Sequence, residues 1–148
     1  MIVIGTTRFS DQTWEENKKW RESNKAGGCA YGLPCKIPVN ISKRAKILVI
    51  EMNNTHNKVM GVGLVNNAGK RGIYRIYSDH YYNRYIYEGE KRVDREKMVE
   101  GEKMVELEKL LFKGKGHMKR GRGITRVSLK KLKKGGLDKY LRGLFDKV

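Results

Sequence analysis

The feature that most constrains the fold is the stretch KILVIEMNNTHNKVMGVGLVNN, residues 46–67. Residues 47–52 form an apolar run rich in β-branched side chains, which is typical of a buried strand. The letters NNTHN then supply turn-forming residues, and residues 58–65 return as a second apolar run. Gly61 and Gly63 alternate with apolar neighbours, a pattern that marks a bulge or the close approach of another group. The stretch therefore predicts a β-hairpin.

The segments before the hairpin predict a strand, a helix and a loop. MIVIGTT has the composition of a short buried strand, and SDQTWEENKKWRESN predicts a helix capped by Ser10 or Asp11. Residues 25–45 contain several glycines and two prolines, which disfavour regular structure, and predict a long loop.

The segments after the hairpin predict two strands, a helix, a strand and a short helix. GIYRIYS and RYIYEG read as strands separated by DHYYN. Residues 94–112 predict a helix that buries Met104, Leu107 and Leu111 on one face. GITRVSL alternates like a final strand, and the leucine spacing after Gly136 predicts a short docking helix.

This order of elements indicates the fold class. Strands and helices do not alternate regularly, so a parallel α/β fold is disfavoured and an α+β fold is expected. We predict a small, mostly antiparallel β-barrel with packed helices. A chain of 148 residues fits one domain, 1–148, with a basic C-terminal segment, 113–148.

The charge distribution points to a polyanionic partner. The net charge is +17, and residues 113–148 hold 13 basic and 2 acidic residues. The net charge of +17 exceeds the net charge of about 2–8 in magnitude that keeps a small domain soluble. Nucleic acid is the first candidate partner and an anionic membrane the second, while solubility alone is the remaining interpretation. No apolar stretch approaches the roughly 20 residues of a membrane span, and MIVIGTTRFS lacks the features of a signal peptide.

The hairpin sequence LVIEMNNTHNKVMGVGLV resembles the central strand pair of PUA-like domains, the superfamily of the PUA, ASCH, EVE and YTH families. In these a strand and a turn precede a strand of the type G-x-G-x-apolar, here residues 61–65. An early strand followed by a helix containing Trp14 is similar too. The resemblance implies a pseudobarrel that binds RNA or a modified base. The chain also resembles uncharacterised small basic proteins of large nucleocytoplasmic DNA viruses.

Candidate phosphate-binding residues lie in the glycine-rich basic segment. Lysine and arginine neutralise phosphates, and the intervening glycines allow the backbone to approach a phosphate chain. A solvated linker is the alternative interpretation. The candidates are Lys115, Lys119, Arg120, Arg122 and Arg126, with Arg44 from the loop before the hairpin.

Candidate base-binding residues are aromatic. Six tyrosines between residues 74 and 87 lie among basic residues, a composition that suits stacking of single-stranded bases. Tyrosine also favours strands, so about half of the six are expected to pack in the core. Tyr81 and Tyr82, in the DHYYN turn, are the expected exposed pair. Trp14 and Tyr31 complete the set of candidates.

No catalytic or metal-binding pattern stands out. The three histidines are scattered, and Cys29 and Cys35 lack the spacing of a zinc site and are expected to be reduced thiols. Glu51 ends a strand, where metal-dependent nucleases place acids, but no nuclease motif surrounds it. We therefore expect no metal and no cofactor, and the sequence favours a binding protein over an enzyme.

The sequence thus predicts a nucleic-acid-binding protein, for RNA or for single-stranded or modified nucleic acid. It would act inside the cell, in the cytoplasm or nucleus of a host, or in a virion. One alternative is a basic structural or genome-packaging protein whose partner can also be an acidic protein. A second alternative is a nuclease or base-processing enzyme.

Overall fold

Strands and helices alternate irregularly along the part of the chain that the structure describes. This computed structural model covers residues 2–24, 28–99 and 101–146. The strands are β1 (Ile2–Phe9), β2 (Cys29–Leu33), β3 (Lys46–Asn53), β4 (Lys58–Asn66), β5 (Lys70–Arg71), β6 (Tyr85–Gly89), β7 (Lys91–Asp94) and β8 (Thr125–Arg126). The helices are α1 (Asp11–Asn24), α2 (Gly101–Phe112), α3 (Leu129–Lys134) and α4 (Leu137–Gly143).

Two separate sheets organise these strands. The larger sheet has five strands in the order β7-β4-β3-β1-β8, and the smaller has three in the order β2-β6-β5. Strands β1 and β3 run parallel, with Ile2 opposite Lys46 and Phe9 opposite Asn53. The other neighbouring pairs are antiparallel. The carboxyl ends of β1 and β3 therefore lie side by side at one end of the larger sheet.

The larger sheet is buried on both faces because its central strands are apolar at successive positions. Val49 faces a cluster that contains Tyr31 and Ile86 of the smaller sheet. Leu48 and Ile50 face a second cluster, to which the helices contribute Leu107, Leu111, Leu132 and Leu141. A strand with two buried faces reads as a continuous apolar run, which is why residues 47–52 lack an alternating pattern.

The predicted mostly antiparallel β-barrel is wrong. The described residues form two open sheets, one of them mixed, and no closed barrel. The physical reason lies in the strand order. Strand β1 pairs with β3 in parallel, and β7 and β8 then form opposite edges of the larger sheet that do not pair with each other. One face of the larger sheet packs on the smaller sheet and the other on a layer of helices. The α+β character of the prediction remains.

Some predictions of single elements are confirmed and others are wrong. The hairpin, the capped helix α1, β6 and the short helix α4 are confirmed. The long loop contains β2, and the predicted helix over 94–112 begins only at Gly101, after β7 and a short 3₁₀ turn at Arg95–Lys97. The predicted strand over 72–78 is absent from the described structure, and the predicted final strand shrinks to Thr125–Arg126.

Candidate functional site

A cleft opens beyond the carboxyl ends of the parallel strands β1 and β3. Its volume is about 560 Å³, within the range of ligand pockets in proteins. The ends of adjacent parallel strands leave room for a ligand because the connecting chain turns away there. Five segments line the cleft: residues 7–10 and Thr13, the end of β2 with Pro34, the turn at 54–55, tyrosines 77, 81 and 82, and loop residues 119 and 121–123.

Arg8 holds the basic loop against this cleft. Its guanidinium donates hydrogen bonds to the backbone oxygens of Met118 at 2.9 Å and Gly123 at 2.6 Å. It also donates to the hydroxyl of Thr125 at 2.9 Å. A Cβ at Gly121 would lie only 2.6 Å from the guanidinium, so only glycine fits there without displacing the clamp. The Gly/basic segment is therefore tied to β1 at several points.

The charge of Arg8 adds to the electrostatics of the cleft. Burial lowers the pKa of Arg8 to about 10, so the group stays cationic at neutral pH. No carboxylate among the described residues forms an ion pair with it. Its hydrogen-bonding capacity is nevertheless used by the backbone. Arg8 therefore supplies a positive potential at the cleft while its donors support the loop.

Two further cations reach the cleft from the loop. Lys119 is half-buried, and its backbone oxygen accepts a hydrogen bond from the Nδ2 of Asn54 at 2.8 Å. Arg122 is exposed, and its guanidinium lies 5.5 Å from the centre of the Tyr81 ring and donates to the Tyr81 hydroxyl. Among the described residues that line the cleft there is no aspartate or glutamate. The charged residues of the described lining are therefore all cationic.

Two exposed tyrosines form an aromatic wall of the cleft. Tyr81 is 43% exposed and Tyr82 is 40% exposed. Their ring centres are 5.4 Å apart at an interplanar angle of 75°. Tyr82 also meets the buried Tyr77 edge-on at 6.4 Å, and Gly32 allows the Tyr82 backbone oxygen to approach β2 closely. Packing thus fixes the positions of the rings while leaving much of their surface free.

The DHYYN turn positions this wall through side chains that bond the backbone. Asp79 accepts a hydrogen bond from the backbone N–H of Tyr81 at 3.0 Å and starts a 3₁₀ turn at His80–Asn83. The Oδ1 of Asn83 accepts hydrogen bonds from the backbone N–H groups of Ile76 and Tyr77, and its Nδ2 donates to the backbone oxygen of Tyr77 at 2.7 Å. These bonds use groups that would otherwise pair in a strand.

The rim of the cleft carries an Asp–His pair. Asp11 accepts a hydrogen bond from the Nδ2 of Asn53 at 2.9 Å, and its other oxygen lies 2.8 Å from the Nε2 of His56. The hydrogen bond from Asn53 is the largest cause that lowers the pKa of Asp11. Both partners of the pair are more than half exposed. The cluster joins the start of α1 to the β3–β4 turn and supports the rim.

Four of the ten predicted site residues meet at the cleft, namely Tyr81, Tyr82, Lys119 and Arg122. Lys115, Arg120 and Arg126 are exposed on the same segment but do not line the cleft. Trp14 is half-buried beside Lys18 and Arg21, also outside the lining. Arg44 precedes β3 and so lies toward the opposite end of that strand from the cleft.

Tyr31 has a different role from the predicted one. Its side chain is 1% exposed, and its hydroxyl donates a 2.6 Å hydrogen bond to the carboxylate of Glu51. Burial raises the pKa of Tyr31 well above its ordinary value. A ring enclosed between the two sheets offers no free face to a base, so the prediction that Tyr31 contacts nucleic acid does not fit this placement.

Glu51 belongs to a buried ionic network. Arg92 donates to both of its carboxylate oxygens, at 2.6 and 2.9 Å, and also to Asp94 at 2.9 Å. Burial alone would lower the pKa of Arg92, but the hydrogen bonds and charge of Glu51 outweigh burial and raise it. Glu51 is therefore committed to structure, not placed as a free acid at a strand end.

The two glycines of β4 make room for this network. A Cβ at Gly63 would overlap the Tyr31 hydroxyl and lie 2.6 Å from the sulfur of Cys29. A Cβ at Gly61 would lie 2.6 Å from the guanidinium of Arg92. The close approach that the glycine pattern predicted therefore occurs, but the approaching groups are buried side chains of the same chain.

Sequence reasoning missed Arg8, which lines the cleft and holds its loop. The available signal was an arginine within the strand sequence IVIGTTRF, since an arginine needs hydrogen-bond partners when partly buried. The described residues contain no group of three or more His, Cys, Asp or Glu side chains that can hold a metal ion. Among the described helices none is long and apolar enough to cross a membrane.

Comparison with known proteins gave no relative: no family model, no curated protein and no solved structure matches this chain.

Proposed function

We propose that the protein binds single-stranded nucleic acid in the cleft, with bases against Tyr81 and Tyr82 and phosphates at Lys119 and Arg122. The observation that carries the proposal is that one cleft unites two exposed aromatic rings with two cations and has no carboxylate among its described lining residues. Phosphate contacts position a strand, and aromatic stacking holds unpaired bases of any sequence.

A single strand fits this cleft better than a duplex. Bases in a duplex are already stacked on each other, so their faces are not available to tyrosine rings. A single strand can place a base face against a ring while its phosphates reach nearby cations. The chain's net charge of +17 adds long-range attraction and predicts binding that weakens steeply with salt.

The proposal is tested by fluorescence anisotropy with labelled single strands of RNA and DNA and with a matching duplex. We expect Tyr81→Leu and Tyr82→Leu each to weaken single-strand binding by about 5- to 150-fold, the loss of about 1–3 kcal/mol of stacking. Leucine retains apolar bulk but lacks an aromatic face. Since each side chain is about two-fifths exposed and leucine retains much of its apolar bulk, the fold is expected to survive each change.

Two matched controls sharpen this experiment. Tyr81→Phe keeps the ring and removes only the hydroxyl that Arg122 contacts, so it should bind nearly as the parent protein does. Tyr85→Leu changes a tyrosine that also lies beside cations, Lys36 and Arg84, but outside the cleft lining. If the wall variants bind like the parent, the cleft is not the base site. Shortened products on a denaturing gel would indicate a nuclease instead.

A further inference from the structure

A second basic surface lies on α3, which has the sequence LKKLKK. Leu132 is fully buried in the helical layer, whereas the four lysines at 130, 131, 133 and 134 are exposed. A helix this short with one buried anchor presents most of its circumference to solvent. The sequence interpretation placed candidate residues only up to Arg126, so this face was not among them.

No ion pair among the described residues involves the charges of this surface. The ion pairs of the described residues all involve partners before residue 109, so no described basic residue from Lys113 onward takes part in one. Helix α3 contains no acidic residue that could pair with its lysines. Its neighbour α4 adds exposed Lys139 and Arg142, while Asp138 is buried. The cost of concentrating this charge points to an anionic partner.

The basic loop connects this surface to the cleft. The ammonium of Lys131 lies 2.9 Å from the position that a Cβ at Gly116 would take, so the Lys131 side chain reaches the basic loop. Residues 119 and 122 of the same loop enter the cleft. At its other end the loop leads through β8, and Ser128 caps the first turn of α3 with a hydrogen bond from the N–H of Lys131.

We propose that the lysines of α3 bind the phosphate backbone of the strand whose bases occupy the cleft. This inference rests on the proposed function. The occupant is a phosphodiester chain because the surface is cationic, because α3 contains no aromatic residue that could stack on a base, and because the basic loop joins α3 to the cations of the cleft. The α3 lysines add affinity without reading bases, and they lengthen the site beyond the nucleotides held by the cleft.

The test compares two variants that each lose four positive charges. In the first, all four α3 lysines are changed to glutamine, which has a similar helix propensity. In the second, exposed cations toward the opposite end of β3 are changed to glutamine: Lys43, Arg44, Lys46 and Lys91. Circular dichroism and thermal melting check that both fold. Affinity is then measured against salt for single strands of about 4 and about 16 nucleotides, the span of typical single-strand sites.

We expect the α3 variant to bind the long strand more weakly and to lose about 2–3 units of its logarithmic salt slope, since each lost phosphate contact on a single strand contributes about 0.7. The short strand, which the cleft holds alone, should be bound as before. The control variant should retain the slope for both lengths.

The outcomes separate the two proposals. If the parent protein binds neither strand, the proposed function fails and this inference falls with it. Suppose that the parent protein binds, that the tyrosine changes weaken this binding, and that the α3 variant and the control variant have the same salt slope as each other. The α3 surface is then not a phosphate site, and the cleft proposal stands. An equal loss of affinity of the α3 variant for short and long strands would also overturn the inference. It would show that the lysines act through the overall charge of the protein and not through contacts with the longer strand. Binding of an acidic protein, with strand binding unchanged, assigns the surface to that partner instead.

Discussion

Replacement of Arg92 by methionine should be among the most destabilising single changes in this protein. Glu51 is 1% exposed and Arg92 is 7% exposed, and two hydrogen bonds join them. Without Arg92, the buried carboxylate keeps only the Tyr31 hydroxyl as a described donor from a side chain. Removal of one partner from a buried pair typically costs about 3–5 kcal/mol, a large part of the total of about 5–15 kcal/mol that stabilises a domain.

The complementary changes give a ranking. Glu51→Met should cost less, because Arg92 retains Asp94 as a carboxylate partner. The double variant should be more stable than the sum of the two single losses predicts, by about 2 kcal/mol or more, since it leaves no unpaired buried carboxylate. Urea unfolding followed by tryptophan fluorescence measures each free energy. At roughly 3 °C per kcal/mol, Arg92→Met should also lower Tm by about 9–15 °C.

This reasoning has a clear point of failure. A loss below about 1 kcal/mol for Arg92→Met, or strict additivity in the double variant, would mean that water or an adjustment of the sheets satisfies Glu51. Arg75→Met provides the control, because Arg75 is exposed and forms no ion pair among the described residues. Its effect should stay within about 0.5 kcal/mol.

Two further predictions concern the clamp and the cysteines. Arg8→Met should speed amide exchange across residues 117–125 and weaken single-strand binding, because the loop loses its hydrogen bonds to β1; unchanged exchange in the loop would contradict this role of Arg8. Burial raises the pKa of the Cys29 thiol to about 12. Iodoacetamide at about pH 8 should therefore modify the partly exposed Cys35 and spare Cys29, and both should react in urea. Peptide mass spectrometry gives the sites, and equal native rates would refute the prediction.

The hairpin could be predicted from sequence because its signals are local. Apolar runs and turn residues lie within one stretch, and β3 and β4 match the predicted bounds within one residue at each end. The parallel pairing of β3 with β1 could not be predicted in this way. The partner of β3, strand β1, lies about forty residues earlier in the chain, and nothing in an apolar run identifies which strand will pair with it. The barrel prediction failed at that step.

The tyrosine-rich stretch shows why another strand prediction failed. Residues 72–78 have strand-like composition, but the backbone N–H groups of Ile76 and Tyr77 bond the side chain of Asn83. An amide six or seven residues away thus replaced a neighbouring strand. Composition alone does not reveal such a competitor. Conversely, the exposed pair Tyr81 and Tyr82 was predictable, because Asp79 and Asn83 mark the turn that carries them.

The clamp between Arg8 and the basic loop also sets an order of assembly during synthesis. The backbone oxygens that Arg8 binds lie 110 and 115 residues later in the chain. At a translation rate of about 5–20 residues per second, that interval is on the order of 10 s. The hairpin of β3 and β4 can form from adjacent residues early in this period. The cleft cannot, since residues 119–123 are the last of its lining segments to be made, so a nascent chain has the hairpin before it has the cleft.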